Sequence, residues 1–325
     1  MKICYIYRKS MPGRHSIENV FNTIYKEIEN KENIEIERLY HDKSLWRSVL
    51  SLWKIKADIY HITGDVHYLA LFLPRKKTVL TIHDIGAFKN KKRNIRGYVY
   101  LLVWFILPIF WLKKITAISE HTKNDLITIL NILESKIITI DNPLSLKTKF
   151  VKNNIRRTPT ILQIGSGSHK NLERLIDAVK DIDCKLIIIG NPDIRLIQKL
   201  KNFTIKYEVF YNISDKEIVR KYEESDILFF ASLTEGFGLP IIEAQATGRV
   251  VITSNIPPMI DVSGGFAELV DPYSVIEIKD GIKRLINDCD YREYLIKGGL
   301  KNAKQYSAIK IAEKYIDLYK NLIEN

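Results

Sequence analysis

Short strand-length runs, most of them uninterrupted and apolar and a few alternating, occur along the whole chain between longer stretches in which apolar and charged residues recur at helical spacing. The runs predict strands near residues 2–7, 34–39, 58–62, 78–82, 115–118 and 137–140, and again near 160–164, 185–190, 204–209, 226–231, 250–253 and 267–270. Asp226-Ile227-Leu228-Phe229-Phe230-Ala231 is typical: strand-length and without alternation, as expected of a parallel strand covered on both faces. Between the runs lie helical patterns such as 16–30 and 120–131, and the chain closes on an amphipathic stretch, 307–323. Two series of alternating strands and helices predict an α/β protein with two doubly wound sheets. A length of 325 residues fits two domains, each able to bury its own core. The polar stretch 144–158 is the natural linker, which puts the boundary near 148.

The densest chemistry follows the strand at 226–231. Thr234-Glu235-Gly236-Phe237-Gly238-Leu239-Pro240-Ile241-Ile242-Glu243-Ala244 places two carboxylates around a glycine turn that opens a helix. Gly236 and Gly238 permit turns and close approaches that a Cβ would forbid, and Pro240 suits a first helical turn, with Gly248 marking the end. The amides of Gly238 and Leu239 should face outward at the positive end of the helix dipole, where a diphosphate can dock. Glu243, one turn in, would accept hydrogen bonds from ribose hydroxyls, and Glu235, in the turn, would reach sugar hydroxyls. Residue by residue, an acidic helix start and a solvated loop charge explain Glu243 and Glu235 equally well.

Taken together, the string resembles the Glu-x7-Glu signature of the retaining glycosyltransferases of family 4, here as Glu235 and Glu243. Other segments match that family in order. Thr78-Val79-Leu80-Thr81-Ile82-His83-Asp84 resembles the strand ending in its active-site histidine, and Ile161-Leu162-Gln163-Ile164-Gly165, followed by Lys170-Asn171, resembles its donor-phosphate loop. The resemblance implies a GT-B fold: an acceptor-side Rossmann-like domain over 1–148, with a C-terminal helix over 308–325 packing back onto it, a donor-binding domain over 149–307, and a cleft between them. It also implies a retaining transfer from a nucleoside diphosphate sugar to a glycan or lipid-linked acceptor, without a cofactor. No metal is implied, and the expectation is a sequence without any Asp-x-Asp triplet on which a metal-dependent transferase would hold its cation. His83, Glu235 and Lys170 would be catalytic. Gly165, Ser166, Gly167, Lys170, Asn171, Glu235, Gly236, Phe237, Gly238, Leu239 and Glu243 would bind the donor. Gly13, Arg14, His15 and His61 would border the acceptor. One departure stands out: many members carry an arginine just after the strand's glycine, and this chain has Ser166-Gly167-Ser168-His169. The missing fork leaves open a nucleotide-sugar-binding protein without turnover, and the fold also leaves open an epimerase or hydrolase.

Charge changes the picture in one respect. Residues 1–150 carry a net +11 and residues 151–325 a net +1, so the basic excess lies in the first half, away from the expected nucleotide site. A basic run from Lys89 to Arg96 precedes the apolar stretch 98–112, which is too short to span a bilayer and contains Pro108. Two readings stand: a core helix, or a monotopic segment bringing 89–114 to an anionic inner leaflet. No zinc-ligand spacing or recognition string supports a nucleic-acid partner. Cys4, Cys184 and Cys289 form neither a disulfide framework nor a CxxC site, and the N-terminus lacks a signal peptide's apolar core, so a cytoplasmic protein is expected.

Overall fold

The computed structural model describes residues 1–8, 16–29, 31, 33–41, 44–86, 95–152 and 155–324. Gly13, Arg14, His15 and the basic residues from Lys89 to Arg93 lie outside them. The chain divides into two units: Met1–Ser145 together with Ser307–Asn325, and Leu146–Tyr306.

The first unit holds six strands, β1 (Lys2–Tyr7), β2 (Glu35–Tyr40), β3 (Ile59–Ile62), β4 (Thr78–Ile82), β5 (Ile115–Ala117) and β6 (Ile137–Thr139). They form one sheet in the order β2-β1-β3-β4-β5-β6, every pair parallel. The second unit repeats the plan with β7 (Thr160–Ile164), β8 (Lys185–Ile189), β9 (Lys206–Phe210), β10 (Ile227–Phe230), β11 (Val250–Ser254) and β12 (Glu268–Val270), in the order β12-β11-β10-β7-β8-β9, again all parallel. The central strands are buried along their whole length, which is why they read as apolar runs rather than alternating ones. In each sheet the order reverses beside the first strand of its unit, the place where an open α/β sheet leaves a crevice at its carboxyl edge.

The last helix, Ala308–Glu324, belongs to the first unit and is fastened there by a buried polar chain. The Tyr319 hydroxyl meets Tyr5 Oη at 2.9 Å and His61 Nδ1 at 2.6 Å, and His61 Nε2 meets Thr81 Oγ1 at 2.8 Å. His61, expected to line the acceptor side, is instead fully buried in β3, and burial pushes its pKa down to about 3, so it is neutral and structural. Parallel strands bury both faces, so a mid-strand histidine has no exposed side to occupy.

The stretch 98–112 is helical in three pieces: Ile95–Leu101, a π turn over Leu102–Ile106, and Leu107–Trp111. Pro108 has no N–H to give the carbonyl of Trp104, four residues back. The widened turn absorbs the clash, and His67 Nδ1 donates to that carbonyl at 3.1 Å. Phe105, Ile109 and Leu112 enter the core, while Tyr98, Val99, Leu102, Phe110 and Trp111 remain exposed.

Candidate functional site

The second unit's site is assembled where β7 and β10 end. β7 leaves into Gly165, whose φ of +88° is strained for any other residue; a Cβ there would also meet Lys170 Cγ at 2.8 Å. The missing side chain lets the lysine stem lie across the loop. Ser168–Lys170 form a single 3-10 turn, and Asn171, left-handed at φ 63°, starts the helix Leu172–Val179. Buried Asn171 is the clamp: its Nδ2 donates to the carbonyls of Ala231 at 2.9 Å and Pro272 at 2.7 Å, tying the loop to the ends of β10 and β12. Gln163 Nε2 supports it from below, donating to Gly165 O and Lys170 O at 3.0 Å each. Ser166 Oγ accepts from Asn191 N at 2.8 Å, so the residue standing where an arginine was expected braces the β8 loop.

The second half of the site is the turn 231–238 and the helix Leu239–Thr247. Gly238 caps that helix at φ 116°, with no side-chain cap; Pro240 has no N–H and Ile241 N donates to Gly238 O at 3.0 Å, so the amides of Gly238 and Leu239 are the ones the helix leaves without an intrahelical acceptor. Lys170 Nζ and Glu235 Oε1 meet at 2.5 Å, both largely shielded from solvent, and the ammonium also lies 4.8 Å above the Phe230 ring. The charge-bearing groups singled out from two distant segments thus form one ion pair beside the helix start.

Glu243 is 7% exposed. The Tyr222 hydroxyl donates to its Oε2 at 2.7 Å, but burial outweighs that bond and raises the carboxyl's pKa to about 7. Phe237 is a donor-site candidate by sequence, yet its side chain is buried edge-on against Tyr306, 5.7 Å between centroids, so only its backbone is left for a ligand. Gln163 Oε1 and Ser232 Oγ are buried without hydrogen-bond partners among the described residues.

In the first unit, His83 follows β4 and its Nε2 donates to the carbonyl of Thr63 at 2.8 Å. That partner fixes the tautomer and leaves Nδ1 as an acceptor. Burial lowers the ring's pKa, with Arg8 adding to the effect against Asp84 and Glu18. Arg8 and Glu18 form a fork pair here, Nε to Oε1 at 2.7 Å and Nη2 to Oε2 at 3.3 Å, both side chains mostly buried. The pair went unread in the sequence, as did Tyr222 beneath Glu243. Their only signal was position: Arg8 just past a strand end, and Tyr222 on the helix before β10.

Two Asp-x-Asp triplets do occur, contrary to expectation, and both lie away from this site's residues. Asp181 pairs with Lys279 and Asp183 with Lys206, while Asp288 caps the helix that Cys289 opens. Among the described residues no cluster of histidine, cysteine and carboxylates has the makings of a metal site.

Residues 146–302 match the family model described as glycosyl transferases group 1. The chain is 27% identical over 314 residues to O-antigen chain mannosyltransferase B of Escherichia coli, covering 89% of this chain and 80% of that one. It is 26% identical over 185 residues to N,N'-diacetylbacillosaminyl-diphospho-undecaprenol alpha-1,3-N-acetylgalactosaminyltransferase of Campylobacter jejuni, covering 55% and 49%. Among solved structures, Anabaena Alr3699/HepE in complex with UDP superposes with a TM-score of 0.79 at 16% identity, over 99% of this chain and all of that one. Residues 146–302 thus resemble the glycosyl transferases group 1 family, in a chain with the two Rossmann-like units of a GT-B fold, and these similarities support a glycosyltransferase.

Proposed function

We propose that the protein is a retaining glycosyltransferase that moves a sugar from a nucleoside diphosphate sugar to a glycan or lipid-linked acceptor during assembly of a surface polysaccharide, without a metal. The observation that carries this reading is the Lys170–Glu235 pair beside the Gly238 helix start. A cation, the amides of Gly238 and Leu239 at a helix start and a carboxylate are what a diphosphate with an attached sugar needs. The lysine and amides would take the charge that develops on the leaving diphosphate, and Glu235, released from Lys170 as phosphate arrives, would hold sugar hydroxyls. The C1–phosphate oxygen bond breaks, the acceptor oxygen bonds to C1 on the same face, and the hydroxyl proton passes to the departing phosphate oxygen. Glu243 would accept from the ribose, and His83 would orient the sugar through Nδ1.

The names of the similar proteins point the same way: the E. coli protein is a mannosyltransferase of O-antigen chains, the C. jejuni protein is named for an undecaprenol-diphosphate-linked acceptor, and the Anabaena structure holds UDP. The test is transfer from a panel of UDP- and GDP-sugars to a membrane extract, with and without EDTA, and NMR of the product's anomeric proton. Retention of configuration and activity in EDTA are expected. Lys170→Ala should lower kcat/KM by about 10- to 100-fold, the worth of one charge-assisted phosphate contact. An unchanged value, or an inverted product, would overturn the assignment. Ser166 in place of an arginine favours one second reading, a donor-binding protein without turnover, and donor binding with no transfer to any acceptor would select it.

A further inference from the structure

The helix Leu45–Lys54 of the first unit turns apolar side chains both ways. Val49 and Leu52 enter the core, whereas Trp46, Leu50 and Trp53, at i, i+4 and i+7, face solvent, the two tryptophans 66% and 63% exposed. Arg47 and Lys54 flank this outer stripe, and no acid lies on the helix. A water-facing row of two tryptophans and a leucine is not what a solvated helix presents.

The stripe continues into the exposed face of 95–111. The Trp46 and Phe72 rings are 6.5 Å apart, Trp53 Nε1 donates to Phe72 O at 3.3 Å, and one residue on, Trp111 Nε1 donates to Leu73 O at 3.4 Å. The segment 72–73 thus joins the two helices into one apolar surface with tryptophan on either side. Its border is cationic. Arg75, Lys76 and Lys113 are exposed, and Lys136 donates to Phe110 O at 3.0 Å with its ammonium 5.8 Å from that ring. Burial lowers the pKa of Lys136, and the charge of Arg75 adds to that. Over 44–119 the chain carries thirteen Lys and Arg against three Asp and no Glu.

We propose that this face docks the first unit on an anionic phospholipid surface, with Trp46, Leu50 and Trp53 entering the headgroup region beside Phe110 and Trp111, and Arg75, Lys76 and Lys113 meeting lipid phosphates. Tryptophan belts and basic rims are the two attractions a bilayer interface offers, and both occur here on one surface. Among the described residues no helix is long and apolar enough to cross a membrane, so the contact is one of lying on the surface. That it brings the enzyme to lipid-linked acceptors rests on the transferase reading; the surface itself does not.

The test is sedimentation of the full chain with phosphatidylcholine vesicles, with and without phosphatidylglycerol, at low and high salt and without donor. Binding that needs phosphatidylglycerol and weakens with salt is expected. Arg75→Gln/Lys76→Gln/Lys113→Gln should weaken it on the order of 100-fold, and Trp46→Ser/Leu50→Ser by at least about tenfold. Both variants should keep the wild-type circular dichroism and donor affinity, so a failed transfer assay leaves the result intact. No binding to phosphatidylglycerol vesicles, or equal binding by wild type and both variants, would refute the proposal. So would a concentration-dependent dimer, seen by ultracentrifugation, that Trp46→Ser/Leu50→Ser dissolves while vesicle binding is absent: the face would then belong to a second copy.

Discussion

Glu243→Gln separates what burial does to this carboxyl from what a ligand does. The side chain is 7% exposed, and burial raises its pKa from 4.5 to about 7, against a single supporting bond from Tyr222. The sign follows from proton binding. Between the two values the folded protein holds a proton that the unfolded chain has lost, so this group's contribution is complete below 4.5 and declines as pH rises toward 7. A displacement of about 2.5 pH units at about 1.36 kcal/mol each makes the decline about 3 kcal/mol, fully expressed at pH 8. Glutamine keeps an acceptor for Tyr222 and carries no charge. Urea titrations of the full chain, following the transition of the second unit, should find the variant no more stable than wild type at pH 4.5 and up to about 3 kcal/mol more stable at pH 8. The same variant should bind donor more weakly above pH 7, because it lacks the anionic oxygen proposed for the ribose. An equal difference in stability at both pH values would show that the carboxyl is not held in an environment hostile to charge, and the reasoning about Glu243 would fail with it.

Asn171→Ala should destabilise the second unit by about 2–4 kcal/mol, because the carbonyls of Ala231 and Pro272 each lose a buried donor and alanine tolerates a φ of 63° poorly; denaturant melts check this, and a cost under 1 kcal/mol would remove the clamp role. His61→Phe should destabilise the first unit by about 1–3 kcal/mol at pH 7, since the hydroxyls of Tyr319 and Thr81 each lose a partner but keep another. Wild-type stability should also fall as pH drops below 6.5 toward 3, because His61 resists protonation when folded, and the phenylalanine variant should blunt that fall in acid denaturation curves.

The inner strands were legible in the sequence because burial on both faces writes them as unbroken apolar runs, whereas the edge strands β2 and β9 alternate apolar with charged residues because one face stays open. The helix opening at Gly238 was legible because Gly-Leu-Pro states its turn chemistry in adjacent letters. Side-chain partnerships were not. Lys170 and Glu235 are 65 positions apart, and only the sheet order that sets β10 beside β7 brings their loops together. Tyr222 meets Glu243 for the same kind of reason, across two elements. His61 was misread because a strand-end histidine and a mid-sheet histidine differ by one or two positions, within the uncertainty of a strand boundary. The tryptophans of 45–54 show a helical period, yet period alone does not say whether an apolar stripe turns inward or outward when a second apolar pair, Val49 and Leu52, fills the core.

The fastening of Tyr319 to His61 and Tyr5 bears on how the protein is made. The strands of the first unit leave the ribosome early, but the helix that covers them is translated after the entire second unit. Nascent β1, β3 and β4 must therefore wait with one sheet face incomplete while residues 146–306 emerge and fold, so the later-encoded unit is the first to be finished.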